Sequence, residues 1–160
     1  MPEQVKRFAS LVIVALAAAG CGGDSGTGPE EARYNNIAGS YSGPLVGSAQ
    51  GYALQATLSL TISQDGGRLS GSWALTGTLS DGLGSVPVQG TGTLTGTIAP
   101  GNNPSVHITV RVGACPSYSA SFSGTFDTAN RRLTVSGPVD ILSSTCTVLL
   151  RYQSTIILTR

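Results

Sequence analysis

Leu54-Gln55-Ala56-Thr57-Leu58-Ser59-Leu60-Thr61-Ile62-Ser63-Gln64-Asp65-Gly66-Gly67-Arg68-Leu69-Ser70-Gly71-Ser72-Trp73-Ala74-Leu75 is the stretch that decides the fold. Leu54, Ala56, Leu58, Leu60 and Ile62 fall on one face at period two, and Thr57, Ser59, Thr61 and Ser63 fall on the other. That alternation is the mark of a strand with one side in the core and one in water. Asp65-Gly66-Gly67 then turns the chain, a strong hairpin signal. The return strand puts Leu69, Gly71, Trp73 and Leu75 on one face.

The same pattern extends outward in both directions. Val106, Ile108, Val110 and Val112 alternate with His107, Thr109 and Arg111. Tyr118, Ala120, Phe122, Gly124 and Phe126 alternate almost wholly with serine and threonine. Leu133, Val135, Gly137, Val139 and Ile141 follow, and Val148, Leu150, Tyr152, Ile156 and Leu158 close the chain. The spacing predicts about eight strands, near 37–46, 52–64, 68–80, 86–98, 104–113, 117–127, 132–142 and 146–159. The fold class is all-β and antiparallel, as a small up-and-down barrel or, alternatively, a β-sandwich.

A recurring unit favours the barrel. Apolar-x-Gly-x-apolar occurs at Ile37–Tyr41, Leu69–Trp73, Leu75–Leu79, Leu94–Ile98 and Phe122–Phe126, which places each central glycine on the apolar face. Inward glycines permit the sharp coiling and close packing of a tight barrel. If Phe126 pairs with Leu133, Phe122 stands across from Gly137, an aromatic covering a cross-strand glycine. In the same register the turns holding Cys115 and Cys146 lie side by side at one end. The two cysteines are expected to form a disulfide in an oxidising compartment. Aromatics are too sparse for the girdles of a transmembrane barrel, so the apolar face is expected to point inward.

The N-terminus reads as an address. Lys6 and Arg7 precede an apolar run from Phe8 to Ala19, broken only by Ser10, then Gly20 and Cys21. This is the layout of a secretory signal, and the run is shorter than a membrane span. Ala18-Ala19-Gly20-Cys21 resembles the lipobox of bacterial lipoproteins, although an Ala-x-Ala-like site also suits ordinary signal peptidase. The resemblance implies cleavage before Cys21, lipid on its thiol, and a place in the bacterial envelope, with the outer membrane expected. The expected organisation is a signal peptide over 1–20, a lipid-anchored Gly-rich linker over 21–36 and a β-barrel over 37–160.

After residue 20 the chain has seven arginines, no lysine and seven carboxylates. That balance gives no basic patch, so nucleic acid is not an expected partner. His107 is the single histidine, and no Gly-x-Ser-x-Gly elbow or phosphate loop occurs. No catalytic residue, metal ligand or cofactor is expected from this inventory. Ile37-Ala38-Gly39-Ser40-Tyr41 followed by Ile62–Trp73 resembles the first hairpins of calycins, the lipocalin-like and avidin-like barrels. Tyr41 stands where that family generally has tryptophan, and Trp73 alone does not make an avidin-like biotin site. The resemblance implies a barrel and, more weakly, ligand binding. Trp73, Tyr118, Phe122, Phe126 and Tyr152 share the inward face and are the candidate lining of a pocket, or else core filling. The leading expectation is a non-enzymatic structural or protein-interaction module anchored to the membrane through Cys21. The alternative is a lipocalin-like carrier of a small hydrophobic ligand.

Overall fold

The computed structural model describes residues 33–160. The expected signal peptide over 1–20, Cys21 as the expected lipidation site and most of the expected linker over 21–36 lie outside the described residues. The rest is eight antiparallel strands in chain order: β1 (Gly39–Ala49), β2 (Tyr52–Asp65), β3 (Arg68–Ser80), β4 (Ser85–Ile98), β5 (Ser105–Val112), β6 (Cys115–Asp127), β7 (Arg132–Leu142) and β8 (Val148–Thr159). Each strand neighbours the next and β8 returns to β1, so the sheet closes as an up-and-down barrel rather than a sandwich. Closure leaves no edge strand of the kind a sandwich must cover, and the wall is unpaired where β6 and β7 part beyond Ser123↔Ser136.

The inward glycines show why the wall can curl so tightly. A Cβ on Gly71 would lie 1.9 Å from the Thr61 carbonyl oxygen, and one on Gly124 would lie 1.8 Å from that of Thr134. Neighbouring strands therefore approach where no other residue fits. The register also brings Phe126 opposite Leu133. A Cβ on Gly137 would sit 2.7 Å from the Phe122 ring, so the ring covers that glycine.

The two ends of the barrel differ. At the end that holds the β2–β3, β4–β5 and β6–β7 turns, Ile37, Tyr41, Ile62, Leu69, Ile98, Val106, Phe126, Leu133 and Leu158 are all buried. Tyr41 meets Phe126 edge to face at 6.3 Å and donates its hydroxyl to the Ile37 carbonyl at 2.7 Å. Gln64 ties the incoming chain across this end. It accepts from the Ile37 amide at 2.8 Å and donates to the carbonyls of Asn35 and Gly66. This is a closed, dry floor. The charges gather around it: Arg33, Arg68, Arg131, Arg132 and Arg160, with Asp65 and Asp127.

The opposite end is looser. It holds the turns at 50–51, 81–84, 113–114 and 143–147. Leu58, Trp73, Leu75, Val110, Val112, Tyr118 and Phe122 point inward near it but remain only half-buried. The disulfide Cys115–Cys146 staples this end, with its Cα atoms 5.5 Å apart, as the paired turns require.

Candidate functional site

An apolar cavity lies within the barrel, in the half toward the loose end. Leu60, Ile108, Val135 and Ile156 form its floor, and Leu58, Leu75, Val110, Ala120 and Val139 join Trp73, Tyr118 and Phe122 in its walls. Its free space is about 100 Å³. Pockets for drug-sized ligands run to about 300–1,000 Å³, whereas a cavity of about 150 Å³ holds a benzene ring. The space here therefore suits one slender apolar group.

Trp73 is positioned by glycines. Its indole Nε1 donates to the Arg111 carbonyl at 3.0 Å, reaching from β3 to β5 across β4. Gly92 of β4 lies beneath, where a Cβ would sit 2.6 Å from Nε1, and Gly90 would bring one to 3.1 Å of the ring. The indole thus rests on a glycine saddle with its polar atom satisfied and its rim facing the cavity.

On the other side, the β6–β7 ladder runs only from Ser123↔Ser136 to Asp127↔Arg132. Above that level the two strands part, and Pro138, which has no amide hydrogen, stands in the unpaired stretch. Pro138 and Asp140 join the cavity lining, so the cavity reaches this seam. Side chains bridge it instead of backbone. Tyr118 donates its hydroxyl to Asp140, and Asp140 accepts from Arg151 Nε at 2.8 Å and Nη2 at 2.7 Å. The Asp140 side chain has no exposed surface, while that of Arg151 is 60% exposed. The Arg151 guanidinium holds the Asp140 carboxyl below the usual carboxylate range, against the opposing effect of burial. Burial, then the hydrogen bond to Asp140 and the Asp140 charge, push the Tyr118 hydroxyl well above its ordinary value.

Of the five aromatic candidates, Trp73, Tyr118 and Phe122 come together in the cavity. Phe126 lies in the closed-end core against Tyr41. Tyr152 is buried beside Gly47 and does not line the cavity. Its hydroxyl is, among the described residues, the buried side-chain polar atom without a hydrogen-bond partner. Asp140 and Arg151 are not among the sequence-based candidates. Their signal was the register itself, since Asp140 pairs with Arg151 across β7 and β8.

His107 stands on the outer wall with Nδ1 3.0 Å from the Ser123 hydroxyl, both exposed. Among the described residues, no group of three or more His, Cys, Asp or Glu is placed to hold a metal ion. The fold and site define a class: a closed eight-stranded up-and-down barrel with a small apolar cavity at one end. Comparison with protein-family models, curated proteins and solved structures returned no match to this chain.

Proposed function

We propose that this chain is a non-enzymatic lipoprotein of the bacterial envelope, anchored through Cys21, whose barrel receives a slender apolar group, such as the end of an acyl chain, in its end cavity. The observation that carries the binding reading is the half-buried wall of Trp73, Tyr118, Phe122 and Leu75 around an otherwise apolar space. A closed core would bury such side chains completely, and leaving them short of partners costs dispersion and hydrophobic free energy that a ligand would restore. The anchor rests on the lipobox-like Ala18-Ala19-Gly20-Cys21.

The test is native mass spectrometry of the oxidised chain from residue 22, exported to a periplasm and purified without detergent. The expected result is a reproducible added mass that Ala120→Leu, which fills the cavity, removes. A bare protein mass, two hydrogens short for the disulfide, would overturn the carrier reading and return weight to a protein-interaction module. The anchor is checked separately, by the mass of the N-terminal peptide from the membrane-extracted chain. Cys21 carrying diacylglycerol supports the anchor, and an unmodified thiol refutes it.

A further inference from the structure

The barrel is polar along its axis in a way the cavity alone does not require. The turns at 50–51, 81–84, 113–114 and 143–147 contain one charged side chain, Asp81. Around them stand Val46, Tyr52, Leu83, Val86, Val148 and Leu149, which among the described residues are six of the eight exposed large apolar side chains. Leu83, at the tip of the β3–β4 turn, is 98% exposed. The cationic cluster lies at the other end, around the closed floor. Exposed apolar groups gathered at one end, with most of the charges at the other, mark an interaction surface rather than ordinary surface scatter.

We infer that the open end seats on a lipid bilayer, so that the rim side chains enter the headgroup region and the mouth of the cavity faces the acyl chains. The inference rests on the proposed Cys21 anchor, which would keep a bilayer always within reach of the rim. Distance permits the geometry. Gln64 ties the chain down at Asn35, and the stretch from Cys21 to Asn35 spans up to about 48 Å when extended. The barrel is about 35 Å tall, taking the 14 residues of β2 at ~3.3 Å rise and a ~40° tilt. The chain joins the barrel at the closed end, yet it is long enough to let the barrel turn its open end toward the membrane that holds it. Arg111 stands behind the rim on the wall, a position from which a long cationic side chain reaches phosphates while the apolar tips lie deeper. The slender cavity is compatible with the same surface, since a space of about 100 Å³ admits the end of an acyl chain but not a bulky ring system.

The experiment uses the chain from residue 22, which includes every described strand, the whole described core and the disulfide. An N-terminal hexahistidine tag binds it to phosphatidylcholine vesicles that contain a minor fraction of phosphatidylglycerol and of nickel-chelating lipid. This tether is independent of the natural anchor. With Cys115 and Cys146 paired, Leu83→Cys supplies a single free thiol for a nitrobenzoxadiazole label at the open end. Asn102→Cys supplies one at the closed end. The expected result is a blue shift at position 83, with most of its emission lost to bromine-labelled acyl chains, and neither change at position 102. Loss of the position 83 signal on adding Val86→Ser and Leu149→Ser would support the rim. Equal quenching at both positions, quenching at position 102 alone, or quenching at neither would overturn the inference. Ala120→Leu separates the two readings: quenching at position 83 is expected to persist in it, whether or not the cavity holds a ligand.

Discussion

The Trp73 indole reaches over Gly92 to bond the Arg111 carbonyl at 3.0 Å, so one side chain ties β3 to β5 across the strand between them. The link sets the upper limit of side-chain size on β4. It also explains why the polar atom of a tryptophan can face an apolar cavity without cost, because its hydrogen bond is made at the wall rather than to a ligand.

Gly92→Ala is expected to be strongly destabilising. Its Cβ would fall 1.8 Å from the Arg111 oxygen and 2.6 Å from the indole nitrogen, so either strand or indole must move. Overpacking of this kind costs about 1–3 kcal/mol, at times more. Gly84→Ala, with open space around it, should change stability by less than about 0.5 kcal/mol. Urea titration followed by the emission of the single tryptophan measures both, and comparable losses at the two sites would contradict the saddle.

Removing the disulfide as Cys115→Ala with Cys146→Ala should lower stability by about 3–4 kcal/mol by the loop-closure estimate. The bridge closes a loop of sequence separation 31. It also spans the unpaired upper part of the β6–β7 seam, so the loss should be local in its dynamics. Amides of upper β6 are expected to exchange hydrogen faster in the variant, while those paired from Ser123 to Asp127 keep their protection relative to the global stability. Uniform acceleration along β6 would mean that the seam is held by something other than the bridge.

The Tyr118–Asp140–Arg151 bridge predicts stability limits at both pH extremes. Asp140 has its folded pKa depressed, chiefly by Arg151, so its contribution is present above the ordinary carboxylate value of ~3.9 and lost as pH falls through the folded value. Tyr118 has its folded pKa raised, so its contribution is present below ~10 and lost as pH rises above that. Asp81 and Asp127 are also held low, by hydrogen bonds within their turns, and share the acid limb. Asp140→Asn should therefore flatten the acid limb in part, and Tyr118→Phe should flatten the alkaline limb in part, since burial also raises Tyr41 and Tyr152. Urea midpoints across pH for the three proteins measure this. Superimposable profiles, apart from a constant offset, would rule out the coupling.

Period two and turn chemistry make the faces of this barrel legible from the chain alone. The Phe122–Gly137 contact and the Cys115–Cys146 bridge follow from register once Phe126 is set against Leu133. Depth along the barrel is not encoded in that alternation. Phe126 and Trp73 both point inward, yet Phe126 lies at the closed floor and Trp73 in the open half, because the Gln64 bridge plugs one end only. The glycine saddle was hidden for another reason. Gly90-Thr91-Gly92 has no meaning until three strands are laid side by side. Asp140 has apolar neighbours on both sides, and its role appears only where β6 and β7 part.

Tyr152 offers the sharpest test of how the interior is packed. Its ring lies against Gly47, and its hydroxyl is buried with no protein partner among the described residues. Burial, and after it the Asp140 charge, raise its pKa, as expected of a phenol kept neutral in an apolar setting. A buried hydroxyl without a partner costs about 1–3 kcal/mol, and deleting it removes that cost at the expense of little packing. Tyr152→Phe should thus leave stability unchanged or raise it by about 1 kcal/mol, measured by urea titration of the ligand-free oxidised chain. A loss above about 1 kcal/mol would mean that the hydroxyl is bonded in solution. It would then be a polar element of the barrel interior rather than a filler of the space above Gly47.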